Sequence, residues 1–102
     1  MPRTDRDGFL ANLDDWTPAV ADELALAEGI ELTDAHWEVI NLVRDFYAET
    51  EVSPEMRPLV KRARERPGKD KGNSIYLLSL FPDSPAKLAC KIAGLPRPPN
   101  CL

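Results

Sequence analysis

Thr33-Asp34-Ala35-His36-Trp37-Glu38-Val39-Ile40-Asn41-Leu42-Val43-Arg44-Asp45-Phe46-Tyr47-Ala48-Glu49-Thr50 reads as one amphipathic helix, from about 34 to 50. Trp37, Ile40, Val43 and Phe46 or Tyr47 recur at three- and four-residue steps, the spacing that lines up one side of a 3.6-residue period. Thr33 stands where a hydroxyl caps an orphan backbone N–H. Outward from this helix, one start signal is repeated three times, at Thr17-Pro18, Ser53-Pro54 and Ser84-Pro85. Proline at a first helical position loses no hydrogen bond and has its φ already set. These signals predict helices at about 18–28, 54–66 and 85–93. Gly29 and Gly94 stand at the ends of the first and last, and Pro67-Gly68 at the end of the middle one. Asn73 or Ser74 opens a fifth, short apolar helix through Ile75, Leu77, Leu78, Leu80 and Phe81.

The expected fold is therefore mainly α: a compact bundle of about five helices. A small β element is expected at the N-terminus, where Gly8-Phe9-Leu10 reads as a strand fragment packed on the bundle by Phe9. Trp16, Trp37, Phe46, Tyr47, Tyr76 and Phe81 are expected as core or core-edge aromatics. Residues 1–94 form the single helical domain in this reading, and residues 95–102 a mobile C-terminal arm. A chain of 102 residues supports one modest core and no separate substrate domain, which places function on the surface or at a terminus.

The net charge of −4 is unevenly spread. Residues 1–56 carry three basic and fourteen acidic side chains, whereas residues 57–72 carry Arg57, Lys61, Arg62, Arg64, Arg66, Lys69 and Lys71 against Glu65 and Asp70. The basic stretch suits an anion, an acidic protein patch or nucleic acid, although a solvated helix face is the commoner meaning of such runs. No apolar run approaches the roughly 20 residues needed to cross a bilayer, and the first residues lack an apolar signal core. A cytoplasmic protein without membrane insertion is expected. In a reducing compartment, two cysteines point to transient redox or carrier chemistry more than to a structural staple.

Cys101 is penultimate and Cys90 lies eleven positions before it. Two cysteines and the lone His36 are too few for a zinc site, and His36 is expected at a helix start or on the surface. The glycines at 68 and 72 do not make a phosphate loop, and Cys101 is misplaced for prenylation. No cofactor or metal is expected. Residues 95–102, with Pro96, Pro98 and Pro99, reach about 25 Å if extended at roughly 3.1 Å per residue. That length enters a cleft on another protein. It also allows the tail to fold back, and closing a Cys90–Cys101 loop would add about 3 kcal/mol if unstrained. Gly94 is the expected hinge. Lys87, Lys91 and Arg97 put positive charge around the thiols and are candidates for steering an anion or an acidic partner.

These residues resemble the family of small sulfur-carrier proteins called DsrC and TusE, the first also known as the gamma subunit of dissimilatory sulfite reductase. The resemblance runs through Asp7-Gly8-Phe9-Leu10, Asp15-Trp16, Glu28-Gly29-Ile30, residues 32–40, Arg44-Asp45-Phe46-Tyr47 and residues 71–77. It is most specific over residues 85–98 and the closing Cys101. It implies a helical bundle with a small β element and a flexible arm, and a sulfur-accepting role for Cys101 as a persulfide. A second cysteine at position 90 resembles the dissimilatory branch, in which the two thiols are thought to bridge sulfur as a trisulfide or close as a disulfide. The partners this implies are dissimilatory sulfite reductase, other sulfur-transfer proteins and a membrane-bound thiol oxidoreductase complex contacted from the cytoplasm. Such a protein is a co-substrate, a sulfurtransferase-like carrier more than a stand-alone turnover enzyme. Two alternatives stand beside it: a TusE-like relay for tRNA 2-thiouridine synthesis, which needs only Cys101, and a DNA-binding regulator using the Arg57 to Lys71 stretch. Nucleic acid is the less favoured partner, because the chain is acidic and lacks a recognisable recognition helix.

Overall fold

The computed structural model describes residues 2–65 and 73–99, and among them five α-helices and one 3-10 turn at Leu13–Asp15. The helices are α1 (Pro18–Ala27), α2 (Asp34–Thr50), α3 (Met56–Arg64), α4 (Ser74–Leu80) and α5 (Pro85–Ile92). The eight-residue α5 is the hub, and α1, α2, α3 and α4 all pack against it. Its sequence explains this position. Pro85, Ala86, Ala89, Cys90, Lys91 and Ile92 are all buried, and a helix apolar on nearly every side is stable only when surrounded. Small Ala86 and Ala89 let neighbouring helices approach closely. Ile40, Val43, Leu59, Leu77, Phe81 and Ile92 fill the space between, all fully buried.

Local chemistry sets most helix ends. Thr17 Oγ1 accepts the Val20 N–H at 3.2 Å, and Asn73 Oδ1 accepts the Tyr76 N–H at 2.7 Å. At the start of α2 the Thr33 N–H donates to His36 Nδ1 at 3.1 Å, so Nε2 carries the ring proton and donates to Leu80 O at 2.8 Å. His36 thus sits at a helix start, as expected, but is buried. It ties α2 to the end of α4, with its ring edge-on to Phe81. Helix α1 ends at Gly29 (φ +73), with the Ile30 N–H reaching Ala25 O and the Gly29 N–H reaching Leu26 O.

Two expectations change. The N-terminal β element is a single antiparallel bridge between Thr4 and Leu10, with no sheet among the described residues. Asp5 Oδ1 accepts the Asp7 and Phe9 N–H groups, and this tight turn leaves one pair of residues to face each other. Phe9 does pack on the bundle, 3% exposed. Helix α3 begins at Met56, two residues after the expected start, because Ser53 and Pro54 are buried in a tertiary contact described below. Its expected stop, Pro67-Gly68, lies outside the described residues.

Helix α2 ends on Glu51 in the left-handed region, φ 60, with its N–H on Tyr47 O at 2.7 Å. A side chain with a Cβ is disfavoured there, whereas glycine is not. Glu51→Gly is expected to raise the unfolding free energy by about 0.5–1 kcal/mol in a urea titration, net of the added unfolded-chain entropy.

Candidate functional site

The tail that carries Cys101 grows out of α5, and the end of α5 is well tied. Leu95 N–H donates to Cys90 O at 2.9 Å and Gly94 N–H to Lys91 O at 3.1 Å, the paired bonds of a helix stop built on a left-handed glycine, φ +74. The next two carbonyls are taken from far away in sequence. Trp16 Nε1–H donates to Ile92 O at 2.9 Å, and Arg44 Nη1 donates to Ala93 O at 2.7 Å. The Arg44 guanidinium lies over the Trp16 ring, 3.8 Å from its centroid. Burial pushes the Arg44 pKa below the usual arginine range, with the Asp45 carboxylate opposing that shift. Arginine stays protonated at any working pH and remains a donor.

Gly94 is pressed against this platform: an added Cβ would lie 2.3 Å from Trp16 Cδ1. The residue read as a hinge is thus a clamped stop in this structure. The segment read as an arm from residue 95 stays on the body as far as Pro98. Leu95 and Pro98 are buried, and Ser53 Oγ donates to Pro96 O at 2.6 Å. Arg97 pairs with Asp7 and lies 5.3 Å from the Phe9 ring centroid.

Cys90 occupies the helix position whose carbonyl receives Leu95, and both side chains are buried. The Cys90 thiol is wholly inaccessible, with Sγ 3.9 Å from Pro54 O. Lys91, one residue on, points to the other side. Its Nζ is 2.7 Å from Glu28 Oε1 and 5.3 Å from the Phe9 ring centroid. Of the three cations expected near the thiols, Lys91 and Arg97 are therefore engaged by carboxylates, and Lys87 is half-buried on α5. Cys101 lies outside the described residues, two positions beyond Pro99.

Pro98 and Pro99 line an open groove of about 590 Å³ together with Met56, Arg57, Leu78 and Pro85. A smaller groove joins Pro99 to Val52, Ser53 and Pro54. Arg57, Lys61 and Arg64 are exposed along α3, while Arg62 pairs with Glu49 at 2.9 Å. Arg66, Lys69 and Lys71 of the expected basic stretch lie outside the described residues. Among the described residues no group of three or more His, Cys, Asp or Glu side chains is arranged to hold a metal, and no helix is long and apolar enough to cross a membrane.

Reading the sequence alone did not pick out Trp16, Arg44 and Ser53 as holders of the tail root. A weak signal existed for Arg44, a charged residue four positions after buried Ile40 and one after buried Val43, at the edge of the apolar stripe of α2. Ser53 gave a misleading one, because Ser-Pro is also a helix-start signal.

Four helices gathered around a short buried fifth, with a tail that carries a cysteine leaving its end, define a small all-α protein. The chain belongs to the family of DsrC like proteins, whose model matches residues 1–102. It is 57% identical over 99 residues to the sulfurtransferase TusE homolog of Haemophilus influenzae, covering 97% of this chain and 91% of that protein. To the sulfurtransferase TusE of Sodalis glossinidius it is 54% identical, with coverages of 97% and 92%. Among solved structures it is similar to DsrC of Allochromatium vinosum, with a TM-score of 0.87, 49% identity and coverage of 97% of this chain and 88% of that one. The oxidized gamma subunit of the dissimilatory sulfite reductase of Archaeoglobus fulgidus gives a TM-score of 0.85 at 40% identity, covering 99% and 92%.

Proposed function

We propose that this chain is a cytoplasmic sulfur-relay protein that accepts sulfur on Cys101 and passes it on, in the manner of the TusE sulfurtransferases. The observation that carries this reading is the 57% identity to a TusE homolog across nearly the whole chain. It moves the weight from the dissimilatory reading of the sequence to the tRNA-thiolation alternative. The burial of Cys90 supports the same shift. A thiol packed as a small core hydrophobe, with Leu95 beside it, needs no chemical role to account for its presence.

The transfer needs one thiol. The Cys101 thiolate attacks the outer sulfur of a donor persulfide, the donor S–S bond breaks, and the donor leaves as a thiolate while Cys101 carries the new persulfide. Nothing is oxidised or reduced overall. The tail from residue 95 onward is the delivering part, and residues 1–94 the body that anchors it. Sulfur-transfer proteins are the partners.

The presence of Cys90 with Cys101 and the likeness to two DsrC structures favour a second reading, in which the chain is a co-substrate of dissimilatory sulfite reductase. There the Cys90 thiolate attacks the inner sulfur of the Cys101 persulfide, a disulfide forms and hydrosulfide leaves.

Loading with glutathione persulfide followed by peptide mapping separates these outcomes. One added sulfur atom is expected on Cys101, none in Cys101→Ser, and wild-type loading and onward transfer in Cys90→Ser. Label confined to Cys90 would reject the assignment of Cys101. Loss of onward transfer in Cys90→Ser, with loading intact, would select the two-thiol reading.

A further inference from the structure

Two segments that hold each other lie beside Cys90, which is wholly buried. One is the loop between α2 and α3, whose Pro54 is fully buried and whose carbonyl faces Cys90 Sγ at 3.9 Å. The other is the tail root, Leu95 to Pro98, which follows directly from the end of α5. A side-chain bond joins them: Ser53 Oγ donates to Pro96 O at 2.6 Å, from a serine that is 3% exposed. Proline has no N–H, and Pro96, Pro98 and Pro99 therefore bring few donors with which the tail can bind the loop. The neighbouring groove, lined by Val52, Ser53, Pro54 and Pro99, shows that tail and loop run side by side.

We propose that Ser53 is a positioning residue, the latch of a lid formed by residues 52–55 over Cys90, so that the thiol becomes reactive only when the tail root lifts from the body. Lifting the tail root removes the acceptor of Ser53 and so releases the loop whose Pro54 faces the thiol. Exposure of the inner thiol is thereby coupled to the tail's departure. A tail extended toward a partner leaves Cys90 open, and a tail packed on the body keeps it closed. The meaning of this coupling for sulfur chemistry rests on the two-thiol reading above. The latch itself does not, because it is read on Cys90 alone.

The test uses the full chain carrying Cys101→Ser, in which Cys90 is the one remaining thiol. Its alkylation by iodoacetamide is followed by mass spectrometry, beside a urea titration of global stability. Adding Ser53→Ala removes the bond and leaves the Pro96 carbonyl without that donor. The alkylation rate is expected to rise roughly tenfold, the equivalent of one buried hydrogen bond, and before and after the substitution to exceed the rate that the global unfolding constant alone would supply. Ser53→Thr keeps a hydroxyl and is expected to return most of the protection. An unchanged rate, a rate no larger than global unfolding alone supplies, or a Ser53→Thr variant as fast as Ser53→Ala would each overturn the latch.

Discussion

Gly94→Ala lowers the unfolding free energy by about 3 kcal/mol or more, the largest effect expected of any single methyl in this chain. Two penalties combine at this position. The backbone is held at φ +74, where an L side chain costs roughly 1–2 kcal/mol. The new Cβ would also lie 2.3 Å from Trp16 Cδ1 and 2.6 Å from Cγ, well inside any real carbon contact. The indole cannot simply step aside, because its Nε1–H is bonded to Ile92 O and Arg44 lies on its face. Relief would break the platform that caps α5.

Gly29→Ala is the matched control. Its φ is +73, but nothing lies within 4 Å of an added Cβ, so the backbone penalty stands alone at about 1 kcal/mol. Urea titrations of both variants measure the difference, and Trp16 emission reports displacement of the ring. Equal losses in the two variants would mean that the contact between Gly94 and Trp16 contributes nothing.

The second large effect belongs to Glu28. Lys91 emerges from the most buried helix of the protein with its side chain only 10% exposed, and its ammonium meets Glu28 Oε1 at 2.7 Å. Removing one partner of a buried pair leaves the other charge without compensation, at about 3–5 kcal/mol when both are deeply buried. The Glu28 side chain is 32% exposed and Lys91 retains the Phe9 ring, so solvent and the π face soften the loss. Glu28→Ala is expected to cost about 2 kcal/mol. Adding Lys91→Met to it should recover most of that loss, since an apolar side chain of similar length suits the site without a partner. A double-mutant cycle by urea titration measures both steps. Failure of the second substitution to recover stability would show that the cost lies elsewhere than in the stranded ammonium.

The two pairings place the cations expected around the thiols in a different light. Lys91 and Arg97 were read as candidates for steering because charge near cysteine in sequence suggests charge near cysteine in space. On α5, however, adjacent positions turn about 100° apart. Cys90 faces Pro54, while Lys91 faces Glu28 and Phe9. Arg97, beyond the helix, reaches Asp7 at the other end of the chain. The acidic first half of the sequence supplies the carboxylates for both.

Much of the secondary structure was legible because its causes are local. The apolar stripe of α2 from Trp37 to Tyr47, the Thr17 and Asn73 caps, and the glycine stops at 29 and 94 each act within one or two helical turns. The same applies to the position of Cys101, which is a fact of the sequence and carries the family resemblance with it. Where a local signal had two uses, the fold chose between them. Ser53-Pro54 has the composition of a helix start, but Ser53 donates to Pro96, forty-three residues away, and α3 begins later.

By itself, then, the sequence determined a helical chain with five helices, the caps at Thr17 and Asn73, the stops at Gly29 and Gly94, and a thiol near the end of a proline-rich tail. Only the tertiary structure decided that Cys90 is closed, that Gly94 is clamped by Trp16, and that the tail root is held through Pro98. The physical reason is one of range. A helix period and a cap are satisfied by neighbours three or four positions away. The end of α5 is satisfied by Trp16 and Arg44, seventy-six and forty-nine residues from the carbonyls they bind, and those partners meet only once the core has brought them together.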